Sequence, residues 1–136
     1  MALGFEPTYW PKDLSRRLGI GFVFAWFMIG GVAHFVFTDA ETAIVPPNVP
    51  FARAWVLFTG VCEIAGALSL LGPSRLRLVA GWALIALTIC VTPANVEMFM
   101  HAERYPHVGA PLLALRLAFQ PVLILIIWFS TRLAKR

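Results

Sequence analysis

The stretch FTGVCEIAGALSLL, residues 58–71, is an apolar run interrupted by one carboxylate, Glu63. Such a run is typical of a helix inside a membrane, where an ionised carboxylate is unfavourable unless it is paired, hydrated or protonated. The same predicted helical face carries Thr59, Gly60 and Gly66. Small residues let neighbouring helices approach or leave room for a ligand. The stretch therefore predicts a membrane helix with a polar site inside the surrounding bundle.

The composition of the whole chain agrees with a membrane protein. Of its 136 residues, 60% are hydrophobic and 13% are charged, whereas a soluble domain has about 25% charged residues. Each of four apolar stretches approaches the roughly 20 residues that a helix needs to cross the hydrocarbon core. These stretches are residues 18–37, 55–71, 78–93 and 112–129. We predict an all-α fold, a polytopic membrane four-helix bundle.

The distribution of Lys and Arg predicts the orientation of the bundle. They concentrate in the N-terminal segment, in the loop after the second stretch and in the C-terminal tail. The positive-inside rule then places both termini in the cytoplasm. We expect residues 1–17 to form a cytoplasmic interfacial segment and residues 18–136 to form a single transmembrane domain. Because no aromatic residues alternate with the basic ones, the charge indicates topology and attraction to anionic lipid, not nucleic-acid binding.

Two loops carry further information. The loop TDAETAIVPPNVPFARA, residues 38–54, contains three prolines and is predicted to be extended and stiff. The loop GPSRLR, residues 72–77, is short, so the second and third helices are predicted to form an antiparallel hairpin.

Polar residues occur at similar depth on all four predicted helices. The helical rise places Glu63 about 12 Å from the outer end of its helix, and Arg116 and Gln120 about 8 and 13 Å from the outer end of theirs. We therefore predict that Glu63 pairs with Arg116. Asn95 and His34 lie in the same outer half and complete a candidate ligand-binding site.

Two further features bear on the site. Glu97 and His101, spaced i and i+4, are a candidate outer extension, with a solvated surface pair as the alternative. No metal site is predicted, because Cys62 and Cys90 are isolated and no two histidines share a helix at ligand spacing within the membrane. Haem with two histidine ligands is disfavoured, since only His34 lies at membrane depth.

The motifs on the four helices resemble those of the DoxX-like family of small membrane proteins. They are the opening stretch together with GGVAHF (30–35), VPPNVP (45–50), PANVEMFMH (93–101) and LRLAFQPVLI (115–124). The resemblance marks His34, Glu63, Asn95, Arg116 and Gln120. Many relatives have proline where Ala118 stands here, which bears on the shape of the fourth helix. The resemblance implies a bacterial inner-membrane protein, either a subunit of a quinone-linked oxidoreductase complex or an assembly factor.

Two main functions follow from these observations. The first is an integral membrane protein that binds a small ligand or lipid, or acts as an accessory or assembly protein, with no catalytic activity of its own. The alternative is a quinone-handling subunit, with quinone as its cofactor and a separate redox partner, because the chain has no motif for an electron-carrying group. A purely structural polar cluster also stays open. A channel is disfavoured because the inner helix halves are apolar, although a homo-oligomer is compatible with the sequence.

Overall fold

The computed structural model describes residues 10–133, so residues 1–9 of the predicted interfacial segment and residues 134–136 lie outside the description. This part of the chain is helical, with no strand. The helices are α1 (Leu14–Val36), α2 (Thr38–Ala43), α3 (Ala52–Ser69), α4 (Ser74–Met100) and α5 (Ala110–Thr131), and a 3-10 turn, Ala102–Arg104, precedes α5.

The four long helices, α1, α3, α4 and α5, are long and apolar enough to cross a membrane. Only 22–33% of the residues in their apolar segments are buried inside the protein. Large apolar side chains such as Ile29 and Leu125 point outward, as expected for a surface covered by lipid acyl chains. The predicted membrane four-helix bundle is confirmed at this level, and the cytoplasmic location of the termini stays a prediction.

The long helices pack in a ring in which each contacts two others. α1 packs along α3, α3 against α4, α4 along α5, and α5 returns to α1, while the diagonal pairs are not in contact within the described residues. The buried apolar core includes Ile20, Leu84 and Ile127. This main cluster occupies the half of the bundle where α1 begins and α5 ends. A smaller buried cluster at the other end consists of Ile44, Met98 and Leu113.

Close approaches at glycines hold this ring together. A Cβ atom at Gly31 of α1 would lie 3.0 Å from the carbonyl oxygen of Gly60 of α3. Side chains at Gly19 and Gly81 would overlap the side chains of Ser130 and Thr131 of α5, respectively. The C-terminal end of α5 is thus held closely against both α1 and α4.

Two helices continue through internal prolines. α4 passes Pro93 and extends to Met100, beyond the apolar stretch that predicted it, and α5 passes Pro121. Proline cannot donate to the carbonyl one turn earlier, so each residue leaves one main-chain acceptor without its helical partner. Pro121 lies near the middle of α5 and divides it into two halves.

The prediction of an extended loop over residues 38–54 is wrong for its first part. Residues Thr38–Ala43 form α2, and the Thr38 hydroxyl donates to the carbonyl of His34 over 2.8 Å. This segment contains no proline, and its first turn carries Asp39 and Glu41, which favour a helix N-terminus. The prolines occur only after α2, where the chain forms turns.

Candidate functional site: a polar cavity between α1 and α5

A cavity of about 840 Å³ lies between the C-terminal half of α1 and the N-terminal half of α5. We call it the α1/α5 cavity. Its volume is within the range of about 300 to 1,000 Å³ typical of small-molecule sites. Its walls are mainly apolar, and its polar lining residues are His34, Glu41, Glu63, Thr88, Asn95, Arg116 and Gln120. The structure thus brings together all five residues of the predicted site, while their role in ligand binding stays a prediction.

Glu63 and His34 form a close pair across the interface of α3 and α1. Nε2 of His34 lies 3.5 Å from Oε1 of Glu63, and both side chains are largely buried. Nδ1 of His34 lies 2.9 Å from the carbonyl oxygen of Val56. Because a carbonyl oxygen can only accept, Nδ1 carries a hydrogen and donates it to Val56. The orientation of the imidazole ring is therefore fixed from the side opposite Glu63.

This orientation determines how the pair shares a proton. Either Nε2 of His34 carries a second hydrogen and donates to an ionised Glu63, or Nε2 accepts a hydrogen from a protonated Glu63. Both favourable arrangements place one proton between Nε2 and Oε1. A hydrogen bond between these two atoms therefore requires one proton between them, at the wall of the α1/α5 cavity.

The position of Glu63 depends on a glycine of the facing helix. A Cβ atom at Gly30 would lie 2.6 Å from Oε2 of Glu63. The carboxylate therefore occupies space that any side chain at residue 30 would reduce. This contact is a second close approach between α1 and α3, beside that of Gly31 and Gly60.

The predicted ion pair between Glu63 and Arg116 is wrong. Among the described residues, the ion-pair partner of Glu63 is His34, and the polar contact of Arg116 is made by Nη1 with Sδ of Met98 at 3.8 Å. The depth estimate placed both residues correctly in one cavity, but the direction of each side chain around its helix axis was unknown. Arg116 lines the cavity as an exposed residue without a carboxylate partner in this part of the chain.

Gln120 and Asn95 present buried amides to the same cavity. Nε2 of Gln120 donates to the carbonyl oxygen of Thr88 over a long 3.5 Å, and its Oε1 is buried without a hydrogen-bond partner among residues 10–133. Asn95 is also buried. A buried amide oxygen without a partner is uncommon in native structures and indicates a group that a ligand or water satisfies.

The candidate outer extension lies outside the cavity. Glu97 pairs with His101 at 3.4 Å and with Arg104 at 3.8 Å, and none of the three lines the cavity. The Glu103 carboxylate, also 3.4 Å from His101, accepts a hydrogen bond from its own main chain, which lowers its pKa, and the hydrogen bond with His101 lowers the pKa further. These residues form a surface network of charges, as the alternative prediction described.

The aromatic residues between α1 and α5 were not among the predicted site residues. The rings of Trp26 and Phe119 lie 4.9 Å apart, and Phe22 contacts Phe119 edge to face at 6.2 Å. All three line the cavity, yet aromatic residues in an apolar run do not reveal which helix they face. Glu41 was also missed, because α2 was predicted as an extended loop.

The fold and the cavity define a small polytopic helical membrane protein with a ligand-sized polar site. The chain belongs to the family described as a domain of unknown function (DUF8561), which it matches over residues 23–131. This match spans the cavity, from the middle of α1 to the end of α5. No curated protein matches the chain, and no solved structure does.

Proposed function

We propose that the protein binds a small amphipathic molecule, such as a lipid, in the α1/α5 cavity. The observation that carries this proposal is the combination of apolar walls with an Arg116 guanidinium that has no carboxylate partner among the described residues. Apolar walls with a few placed polar groups are typical of ligand sites. A ligand with an anionic or hydrogen-bond-accepting head would match Arg116, and its apolar part would lie along the aromatic wall.

The polar residues of the cavity form two groups, which differ in whether their hydrogen-bonding atoms already have partners. Glu63 and His34 satisfy each other, so they are compatible with a structural role that requires no ligand. Arg116 and the Oε1 atom of Gln120 are the groups with unused hydrogen-bonding capacity. We therefore assign recognition of a hydrogen-bond-accepting part of the polar head to Arg116 and of a hydrogen-bond-donating part to Oε1 of Gln120. The alignment of α1 with α3 we assign to the Glu63–His34 pair.

A competing explanation for Arg116 is contact with lipid headgroups alone. Arg116 lies six residues after the start of α5, about 9 Å along the helix. An arginine near a helix end can extend its guanidinium to the membrane surface. The location of Arg116 beside Gln120 and Asn95 supports the cavity role, because surface extension alone would not require buried amides at the same place.

A second candidate function is quinone handling. It is favoured by the contact between His34 and Glu63 at the cavity wall, because an imidazole beside a carboxyl group can hold and release a proton. Reduction of a quinone requires two electrons and two protons. A redox partner protein would supply the electrons, the pair would give one proton to a quinone oxygen, and water would supply the other. Arg116 or Gln120 would donate to a quinone carbonyl oxygen, and the rings of Trp26 and Phe119 would contact the quinone ring.

Both candidates agree with the resemblance to DoxX-like proteins. That resemblance stays a prediction, whereas membership in the family of unknown function rests on the match over residues 23–131. An accessory or assembly role in a larger membrane complex is compatible with ligand binding. The bacterial inner membrane is the proposed location.

Native mass spectrometry of the detergent-purified protein, with extraction of bound lipids and quinones, tests the proposal. We compare the wild type with Arg116→Leu and with the matched control Arg75→Leu. Arg75 is an exposed arginine of α4 outside the cavity. We expect a bound molecule in the wild type and in Arg75→Leu, and its loss from Arg116→Leu.

The extract also distinguishes the two functions. A lipid or other amphipathic molecule without redox chemistry supports the first, and a quinone supports the second. A wild type that carries nothing and takes up neither added lipid nor added quinone would contradict both. Equal loss from Arg116→Leu and Arg75→Leu would show a general effect of charge and contradict a cavity site.

A further inference from the structure

A second cavity lies at the other end of the bundle, where α1 and α4 begin and α5 ends. It has a volume of about 240 Å³, and we call it the basic cavity. Among the described residues, four basic and one acidic residue line it, a formal excess of three positive charges within this part of the chain, together with the hydroxyl-bearing Ser74 and Thr131. The charged lining residues are Lys12, Asp13, Arg16, Arg77 and Arg132.

Arg16 is the central observation, because its charge is buried without compensation by the described residues. The residue is 7% exposed, and Nη2 donates to the carbonyl oxygens of Ser130 and Arg132. Its Nε has no hydrogen-bond partner, and none of the ion pairs within residues 10–133 includes Arg16. A buried guanidinium without a negative partner is costly. The positive-inside rule accounts for an arginine near this end of a helix, but not for its burial.

Arg77 provides a second, rigidly held positive charge at the cavity wall. It is 2% exposed, and its Nε and Nη2 donate to the carbonyl oxygens of Leu70 and Gly72, both over 2.9 Å. Its guanidinium also lies 4.7 Å from the ring centre of Trp10. These contacts anchor the C-terminal end of α3 and fix the position of the charge. A site with fixed charges loses little entropy when an anion binds.

We propose that the basic cavity binds a phosphate group, either in the headgroup of an anionic phospholipid or as free inorganic phosphate. Guanidinium groups match the geometry of phosphate oxygens and bind them with charge-assisted hydrogen bonds. The cavity is smaller than the roughly 300 Å³ at which drug-sized sites begin, so it suits a small headgroup. Its place at the ends of three membrane helices is the level at which lipid phosphates lie, and basic pockets between such helices bind anionic headgroups.

The basic cavity is separate from the α1/α5 cavity, since no described residue lines both. Its function does not depend on the ligand proposed for the other site. One role that follows from its position is to join α1, α4 and α5 through a shared anion, which would stabilise the end of the bundle where Arg16 contacts the last turn of α5.

Binding measurements on matched arginine variants test this site. The full-length protein is placed in phosphatidylcholine nanodiscs with increasing phosphatidylglycerol, and bound phosphatidylglycerol is counted by native mass spectrometry. Inorganic phosphate is titrated separately into the detergent-purified protein by calorimetry. The variants are Arg16→Gln, Lys12→Gln at the exposed rim, and the control Arg17→Gln, which is exposed and does not line the cavity.

We expect Arg16→Gln to weaken binding about tenfold or more, because a hydrogen bond to a charged group contributes about 1.5–3 kcal/mol. Lys12→Gln should weaken it about threefold, in keeping with an exposed charge pair, and Arg17→Gln should bind like the wild type. Saturable binding of phosphatidylglycerol with no response to inorganic phosphate identifies the lipid as the source of the phosphate, and a response to both identifies the phosphate group itself.

Two results would overturn the proposal. One is a wild type that neither prefers phosphatidylglycerol to phosphatidylcholine nor binds inorganic phosphate. The other is an Arg17→Gln protein that loses as much binding as Lys12→Gln. That result would show that binding depends only on the total charge of the surface. Because Lys12 is exposed, its variant keeps the test informative even where Arg16→Gln fails to fold.

Discussion

His34 Nε2 lies 3.5 Å from Glu63 Oε1, and this contact joins α1 to α3 at the wall of the α1/α5 cavity. The ring is held in this orientation by the hydrogen bond from Nδ1 to the carbonyl oxygen of Val56. A carboxylate in the apolar half of a membrane helix thus has its partner on the neighbouring helix.

The pair predicts coupled effects of mutations at the two residues. Glu63→Gln and His34→Gln should each lower the free energy of unfolding by about 1–3 kcal/mol, because each leaves a buried polar partner unsatisfied. The double variant should lose less than the sum, by about 0.5–3 kcal/mol. Reversible unfolding in mixed micelles measures the free energy of unfolding of the wild type, the two single variants and the double variant. Glu63→Gln combined with Arg116→Leu is the control and should be additive, and strict additivity in the His34 cycle would contradict the pair.

The contact between Gly31 and Gly60 predicts that added volume at Gly31 is unfavourable. A Cβ there would lie 2.7 Å from a side-chain carbon of Ile64 and 3.0 Å from the Gly60 carbonyl oxygen. Gly31→Ala should therefore lower the stability by about 1–3 kcal/mol. Gly21→Ala, where a Cβ would meet nothing within 4 Å, should be neutral or stabilising by up to about 1 kcal/mol. Equal unfolding midpoints for the two variants would show that α1 and α3 are not packed this closely.

The unsatisfied amide of Gln120 predicts that a substitution there reduces ligand retention but leaves the stability of the protein nearly unchanged. Its Oε1 is buried without a partner among the described residues, and its Nε2 makes only the 3.5 Å contact with the Thr88 carbonyl. Gln120→Met should leave the stability of the ligand-free protein within about 1 kcal/mol of the wild type, because little hydrogen bonding is lost. The same change should reduce the amount of co-purifying ligand. A large loss of stability with unchanged ligand content would assign Gln120 a structural role instead.

The position of Asn95 in the cavity lining predicts that water-soluble reagents reach this face of α4. In a protein with Cys62 and Cys90 replaced by alanine, Asn95→Cys should react with a hydrophilic thiol reagent, since residue 95 lines the cavity. Val96→Cys, one residue further on the exposed apolar surface, should be protected by lipid. Reagent added to one side of oriented vesicles also tests the predicted membrane orientation. Equal labelling of the two cysteines would contradict a water-filled cavity at Asn95.

The sequence predicted the long helices well because each apolar run is close to the length of a membrane span. Helix ends were less accurate: α4 continues to Met100, since a helix proceeds through polar residues and past Pro93 as long as its main chain stays hydrogen-bonded. Residue depth along each helix was predictable from the rise per residue, and it correctly grouped the five polar residues around one cavity.

Rotation of each helix about its axis could not be predicted from depth. Glu63 was therefore assigned to Arg116, although the close approach of Gly31 and Gly60 turns the α3 face that carries Glu63 toward His34. The basic cavity was missed for a related reason. A positive residue near a helix end has the same sequence signature whether it is solvated or, like Arg16, buried against another helix.

The close approach of Ser130 to Gly19 and of Thr131 to Gly81, which leaves no room for a side chain at either glycine, gives α5 one fixed end. Its other end, which borders the α1/α5 cavity, lies beyond Pro121, where one main-chain hydrogen bond is missing. The segment from Pro111 to Pro121 covers ten helical steps and forms an arm about 15 Å long. A tilt of about 10° at Pro121 would move its tip by about 2.6 Å for an arm of that length. A change of this one angle would therefore alter the width of the cavity without disturbing the packed end of the bundle, so that a ligand of larger or smaller diameter would require movement of only one half of α5.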